Sequence, residues 1–381
     1  MKKILVVHNR YKFLGGEDVA VDNEIEILKK YFEVKTLIFD NKKTDIFSII
    51  ITFLLNRNPR SIKLLKKQLQ TFKPDVVYIH NTWFTASVGI FNTLSKSGVK
   101  TLIKVHNFRY DCTRNYLTSK YCIGTETCSK CGNTKNSSIF NKYFSESLIK
   151  SIFVIRYGKK YFKALKNPNV KIVVLTSFHK NYLKNLGFTG NNIYVLPNSF
   201  SSEIINKKNN ENNDLVYAGR ISKEKGVEEL VEAFISSKAS NLNLVFIGDG
   251  PLKQNLENRY SSHANIKFLG QKSNFETREI IANSKAVVTA TKLFEGQPTL
   301  LCEASFMGIP SIFPNFGGIH EFFPENTDLS FKQFDYLDLQ EKIKLLNISS
   351  FEKEGIKNKN FLTDHFNEKI IIKKFMDIVN D

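Results

Sequence analysis

Short apolar, β-branched runs alternate along this chain with longer stretches whose apolar residues recur at helical spacing. The first set comprises Ile4–His8, Val34–Phe39, Val76–His80, Leu102–His106, Ile172–Thr176 and Ile193–Leu196. A second set comprises Leu215–Ala218, Leu242–Ile247, Ile266–Leu269, Ala286–Thr291, Pro310–Phe313 and Leu329–Phe331. Strands alternating with crossover helices build parallel sheets. A chain of 381 residues exceeds what one core supports. The pattern therefore predicts an α/β protein with two doubly wound parallel-sheet domains. The segment Asn206–Asn213 is too polar to bury anything and reads as the linker. Boundaries follow at 1–198, 199–365 and 366–381, the last an amphipathic helix over about Asn367–Val379 that needs a partner surface. Residues 107–168 break the strand-helix rhythm and read as an insertion.

The longest apolar run, Ile46–Leu55, is bounded by Asp45 and Arg57. It is shorter than the roughly 20 residues of a spanning helix. Met1-Lys2-Lys3 leads straight into a strand without a leader pattern. A cytoplasmic protein is expected.

Charge is one-sided. Residues 1–198 hold 33 Lys and Arg against 12 Asp and Glu, a net of +21, whereas the remainder nets −3. Such a field attracts polyanions: lipid headgroups, nucleic acid or phosphorylated substrates. The alternative is a set of solvated basic faces. The stretch Ile152–Lys163 interleaves Phe153, Tyr157 and Tyr161 with Arg156, Lys160 and Lys163. It could lay aromatic rings into a headgroup layer, or pack as a helix against the sheet.

Three features of the second half carry chemistry. In Ala218-Gly219-Arg220-Ile221-Ser222-Lys223-Glu224-Lys225-Gly226 a strand ends at a glycine and cations follow, which suits a diphosphate at a strand's carboxyl end. In Ile247-Gly248-Asp249-Gly250-Pro251, Gly248 and Gly250 let backbone approach a ligand, and Pro251 is expected at the first position of the next helix. In Phe294-Glu295-Gly296-Gln297-Pro298-Thr299-Leu300-Leu301-Cys302-Glu303-Ala304, Glu295 lies in a loop, Pro298 opens a helix and Glu303 lies inside it. A carboxylate on a nucleotide-binding helix suits a ribose diol, and one beside a diphosphate suits sugar hydroxyls. Together they describe a nucleotide-sugar site.

These stretches, the Glu295-x7-Glu303 pair, Gly15-Gly16 after the first strand and Val195-Leu196-Pro197-Asn198 resemble the family 4 retaining glycosyltransferases, of bacterial surface-polysaccharide type, over nearly the whole chain. The resemblance implies the GT-B fold, two Rossmann-like domains facing a central cleft. The first domain would bind acceptor and the second the nucleotide sugar, and the last helix would return to the first domain through Ile370, Ile371 and Phe375. It implies that Arg220 and Lys225 hold the donor diphosphate, Glu303 the ribose and Glu295 the transferred sugar. Gly296, Gln297, Thr299 and Leu300 would line the site, Gly15 and Gly16 would approach the donor, and His106 would act near the reacting centre. Gln297 and Pro298 depart from the commoner Glu-Gly-Phe-Gly form. No cofactor is expected for catalysis; no Asp-x-Asp pair marks a divalent-metal donor site. The expected partners are a nucleotide-sugar donor, a lipid-linked or oligosaccharide acceptor and an anionic membrane surface, but no nucleic acid.

Cys112-x9-Cys122-x5-Cys128-x2-Cys131 reads as a structural zinc site or as reduced thiols packing a loop. Cys302 reads as core. Two other readings stay open: a nucleotide-sugar epimerase of the same fold, which would turn over donor alone, and a nucleic-acid-binding protein. A dehydrogenase is disfavoured because no strand is followed by Gly-x-Gly-x-x-Gly.

Overall fold

The computed structural model describes residues 1–11, 16–41, 51–52, 54–112, 148–199 and 212–381. The chain divides into two compact units, Met1–Phe200 with Glu368–Asp381, and Ser201–Asn367. Each is built on a six-stranded parallel sheet, the α/β architecture of the GT-B fold.

The first unit runs β1 (Lys3–Arg10), α1 (Gly16–Lys29), β2 (Glu33–Asp40), α2 (Pro59–Thr71), β3 (Val76–Ile79), α3 (Gly89–Ser97), β4 (Lys100–Val105), α4 (Leu148–Leu165), β5 (Val170–Val174), α5 (Ser177–Asn185) and β6 (Ile193–Val195). Its strand order is β2-β1-β3-β4-β5-β6, with Val7 opposite Leu37 on one side and Ile79 on the other. Only the step from β1 to β2 runs against the others. Right-handed crossovers therefore put α1 on one face of the sheet and α2 to α5 on the opposite face. Asn58 caps α2, accepting from the backbone N–H of Arg60 at 3.0 Å, with Pro59 next in sequence where no N–H is needed.

The second unit runs β7 (Asp214–Ala218), α6 (Val227–Ser236), β8 (Asn243–Ile247), α7 (Lys253–Arg259), β9 (Ile266–Phe268), α8 (Asn274–Ala282), β10 (Ala286–Val288), α9 (Thr299–Phe306), β11 (Ser311–Pro314), β12 (Ser330–Phe331), α10 (Tyr336–Ile348) and α11 (Glu352–Phe366). The order is β12-β11-β10-β7-β8-β9. Leu215, Leu244 and Ile312 of the sheet pack against Leu230 and Phe234 of α6 and Ile343 of α10.

The last helix, α12 (Glu368–Asn380), belongs to the first unit. Its Ile371, Ile372, Phe375, Ile378 and Val379 join Val21, Ile25 and Leu28 of α1 over Ile4, Val6 and Tyr78. The covered stripe is thus centred on Ile371, Ile372 and Phe375; Ile370 is only half-buried, because helical spacing turns it toward the edge. Cations at or just before the starts of three strands meet the carboxyl end of α12. Lys2 Nζ donates to Asn380 Oδ1 at 2.6 Å, Lys100 Nζ to the Val379 carbonyl at 2.9 Å, and Lys171 Nζ pairs with Asp381 at 2.8 Å. A helix carboxyl end favours positive charge.

On α4 the interleaved aromatic residues turn inward. Tyr157 and Tyr161 are buried, the Tyr157 hydroxyl donates to the Thr82 carbonyl at 2.8 Å, and its ring lies 4.6 Å from Trp83. Arg156, Lys159, Lys160 and Lys163 face out. The insertion of these tyrosines into a headgroup layer is therefore excluded: they pack against Trp83 in the loop after β3 and Phe91 of α3.

Glycines fix how the loops of the second unit close. A Cβ on Gly250 would stand 2.2 Å from the Ile221 carbonyl oxygen, and one on Gly226, where φ is +68°, would stand 2.1 Å from the Ala290 oxygen. Neither contact can relax without moving backbone. Gly250→Ala is expected to cost about 2–4 kcal/mol, in the range of forced overpacking plus backbone shift. Urea unfolding checks it; a cost below about 0.5 kcal/mol would show that the loop yields freely.

Candidate functional site

In the second unit the strand order reverses at β7: β8 and β9 extend to one side, β10, β11 and β12 to the other. Ligands of open parallel sheets bind outside the carboxyl ends of the strands at such a reversal. The loops leaving β7 and β10 meet there. The Lys292 N–H donates to the Glu224 carbonyl at 3.1 Å, and Gly226 brings its backbone against Ala290.

Charged groups sit on these joined loops. Lys225 Nζ meets Glu295 Oε1 at 2.5 Å, both side chains about one quarter exposed (30% and 22%), and the Thr291 hydroxyl donates to the same oxygen at 2.9 Å. Arg220 is exposed at the end of β7, and its carbonyl accepts from the buried Tyr217 hydroxyl at 2.8 Å. Burial pushes the Tyr217 phenol well above its ordinary pKa, and the nearby Glu295 and Glu224 push the same way. It stays a neutral donor.

The sequence-predicted residues fall as follows. Lys225 and Glu295 are brought into contact, and Arg220 shares their loop. Lys223–Lys225 form a single 3-10 turn, and α6 starts only at Val227. Gly296 and Gln297 are buried in the loop after β10; Thr299 and Leu300 open α9, with Pro298 at the cap position before it. Glu303 lies on α9, where burial raises its carboxyl pKa against the opposing pull of Arg278. Gly248 and Gly250 serve backbone packing first: a Cβ on Gly248 would meet the Gly219 carbonyl oxygen at 2.1 Å. Pro251 does not begin a helix. The Leu252 N–H donates to the Ile221 carbonyl, and α7 begins at Lys253.

One pair escaped sequence reading. Lys292, buried in the loop after β10, forms an ion pair with Glu229 of α6. The only sequence signal was a cation directly after an apolar strand.

In the first unit the order reverses between β1 and β3, and polar groups collect at those strand ends. His8 Nε2 lies 2.8 Å from Asp18 Oδ1, both buried; Asn9 Oδ1 accepts from the Ala86 N–H at 2.8 Å. His106 Nε2 lies 3.0 Å from His80 Nδ1 with the rings stacked, so one ring donates and the other accepts. Burial holds both well below the ordinary histidine range, and the Lys104 charge adds to the effect. Lys104 itself pairs with Glu24 at 2.9 Å in the interior. Glu17 takes hydrogen bonds from the Tyr11 hydroxyl at 3.0 Å and Asn107 Nδ2 at 3.1 Å, and burial raises its carboxyl. Gly16 begins α1 and is exposed; Gly15 lies outside the described residues. Cys112 is buried, whereas Cys122, Cys128 and Cys131 lie outside the described residues. Cys302 is core, as expected of a small residue on that helix.

His179 makes the acid response of this unit testable. Its ring is fully buried against Phe108, centroids 4.3 Å apart, and burial pushes its pKa down to about 3. The unfolded chain takes up a proton below the ordinary value of 6.5 that the folded chain refuses. The stability it contributes is present above that value and is lost as pH falls toward 3, at about 1.4 kcal/mol per pH unit. In His179→Phe the slope of unfolding free energy between those limits should be shallower by that amount; an identical slope would contradict the assignment.

Residues 200–360 match the family model "Glycosyl transferases group 1". TuaC of Bacillus subtilis, named for teichuronic acid biosynthesis as a glycosyltransferase, is 32% identical over 190 residues, covering 46% of this chain and 47% of that protein. The capsular polysaccharide biosynthesis glycosyltransferase CapM of Staphylococcus aureus is 26% identical over 226 residues, covering 55% and 58%. This chain thus spans about half the length of the curated relatives it matches. Among solved structures, Anabaena HepE in complex with UDP and glucose superposes with a TM-score of 0.68 at 13% identity, covering 99% of both chains, a likeness of fold. The resemblance to bacterial surface-polysaccharide glycosyltransferases is shown by these matches.

Proposed function

We propose, from the match of residues 200–360 to the group 1 glycosyl transferase model, that this chain is a retaining, metal-independent glycosyltransferase that moves a sugar from a nucleotide diphosphate sugar to a lipid-linked glycan in surface-polysaccharide assembly. The observation that carries the reading is the Lys225–Glu295 contact at the strand reversal of the second unit. The cation suits a diphosphate, and the carboxylate beside it suits the hydroxyls of the attached sugar.

In this reading Arg220 and Lys225 neutralise the diphosphate and stabilise the charge that grows on it as the glycosidic bond breaks. Glu295 turns from Lys225 to the hydroxyls of the transferred sugar. Glu303 takes the ribose diol, whose two O–H donors would relieve the burial that now raises its carboxyl. Amides at the start of α9, about Thr299 and Leu300, add positive potential near the phosphates. The acceptor meets the first unit, where His106, held neutral and hydrogen-bonded to His80, offers a nitrogen to a hydroxyl without carrying charge. The leaving diphosphate takes the acceptor proton on the same face, which preserves the anomeric configuration. The work is done on the cytoplasmic side of an anionic membrane. The relatives' names in teichuronic acid and capsular polysaccharide biosynthesis support the acceptor class.

Transfer is tested with nucleotide sugars, with and without a membrane-extracted glycan-lipid acceptor and with a chelator present. Product of the donor's own anomeric configuration, by proton NMR, is expected only when acceptor is added. An inverted product would refute retention, and sugar isomerisation with donor alone would make the protein an epimerase.

A further inference from the structure

We infer that the outward face of α2 and α4 in the first unit is a docking surface for an anionic lipid bilayer. It rests on the membrane-linked acceptor reading for its purpose, but on separate observations for its location.

Both segments are free of acid. From Ile46 to Pro74 there are six Lys and Arg and no Asp or Glu; from Ser147 to Ser202 there are nine and none. The two helices lie in one layer. Helix α2 packs against α3, whose Phe91 ring stands 6.3 Å from Tyr161 of α4. On α2, Ile62 and Leu65 point into the core, so Lys63, Leu64 and Lys67 form the opposite, exposed stripe. On α4, Val154, Tyr157 and Tyr161 point inward, and Ile149, Arg156, Lys160 and Lys163 share the exposed stripe. The other side of the sheet is mixed in charge: α1 and α12 there carry Asp22, Glu26, Glu368 and Asp377 beside Lys29, Lys369, Lys373 and Lys374. The basic excess is therefore a property of one face.

Apolar side chains choose the partner. Six large apolar residues are exposed among the described residues of this unit: Met1, Ile38, Leu54, Leu55, Leu64 and Ile149. Four of them lie on α2, on α4 or in the residues just before α2. Single exposed aliphatics are ordinary. Leu64 and Ile149, set among lysines on the exposed stripes of α2 and α4, with Leu54 and Leu55 exposed just before α2, fit a headgroup layer, where cations meet lipid phosphates and aliphatic tips reach the acyl boundary. A nucleic-acid backbone would use the cations and leave the leucines in water. Among the described residues no helix is long and apolar enough to cross a membrane.

The full chain is sedimented with vesicles of phosphatidylcholine alone and of phosphatidylcholine with phosphatidylglycerol, over a range of salt. Binding is expected only with phosphatidylglycerol and should fall as salt rises. Lys63→Glu with Lys67→Glu, and separately Lys160→Glu with Lys163→Glu, should each weaken it by about tenfold or more, since each cation counts near the surface. Leu64→Gln should weaken it by a factor that salt does not remove. Lys373→Glu with Lys374→Glu, exposed on α12 across the sheet, makes the same change in net charge and should leave binding intact. Equal loss in the α12 variant, no binding to acidic vesicles at low salt, or binding of a short nucleic-acid duplex in place of vesicles would each overturn the inference. Circular dichroism melting of each variant separates lost binding from lost folding. Thermal stabilisation by nucleoside diphosphates is measured on the same samples. Its absence would count against the transferase reading while leaving the docking result to stand or fall by itself.

Discussion

Lys225→Ala is expected to lower kcat/KM by about 10²–10³, most of it in kcat, as removal of one preorganised charge at a developing anion does. The side chain sits where the loops after β7 and β10 join, and in the resting protein it is held by Glu295 at 2.5 Å. A bound diphosphate would draw the ammonium toward its own larger charge. That pull strengthens as the glycosidic bond breaks and negative charge moves onto the phosphate, so the loss falls on turnover more than on binding. Stability should scarcely change. Both partners are partly solvated, Glu295 keeps the Thr291 hydroxyl, and such pairs contribute no more than about 1 kcal/mol. Lys225→Arg keeps the charge and should recover part of the rate. Steady-state kinetics with saturating acceptor decide the matter; unchanged kcat in the alanine variant, with its melting temperature intact, would remove Lys225 from the mechanism.

Phe375→Ala should destabilise the first unit by about 3–5 kcal/mol, the usual cost of emptying a buried phenyl site. The ring is 1% exposed and packs edge-on to Phe32 at 5.6 Å and tilted to Tyr78 at 5.1 Å, so it touches both the turn after α1 and the sheet. The chain has one tryptophan, Trp83, buried in the same unit, and its fluorescence reports unfolding of that unit alone. Urea titration should show the Trp83 transition moved to lower denaturant. A shift worth less than about 1 kcal/mol would mean that α12 is docked loosely. The measurement also tests the three cation contacts at the end of α12, because high salt should weaken a helix held there by charge.

The strands were legible because parallel strands buried on both faces read as unbroken apolar runs; all twelve runs became strands, with ends displaced by at most three residues. β10 shows why the ends drift. Its run was read to Thr291 but pairing stops at Val288, since the chain must turn to place Lys292 against Glu224 and Glu229. That turn joins residues some sixty positions apart, which no local pattern announces. Strand order is equally invisible in sequence, so the site could be listed by motif but not located at the β7 reversal. Gly248 and Gly250 were noticed for the right property, room for close approach, but the backbone that approaches is the protein's own. The α4 aromatics were ambiguous for a similar reason. A helix with one apolar face looks alike whether a sheet or a bilayer covers it, and only Tyr157 and Tyr161 meeting Trp83 and Phe91 settles which.

The central claim, that the joined loops after β7 and β10 receive a nucleoside diphosphate, is tested most directly by calorimetric titration of the full chain with a nucleoside diphosphate and its monophosphate, in wild type and in Arg220→Ala. The account predicts that the diphosphate binds at least about tenfold tighter than the monophosphate, since a charge-assisted contact to the second phosphate is worth about 1.5–3 kcal/mol. It predicts that Arg220→Ala erases most of this difference while leaving monophosphate affinity nearly unchanged. Equal affinity for the two nucleotides, or a preference for the diphosphate that survives in Arg220→Ala, would contradict it.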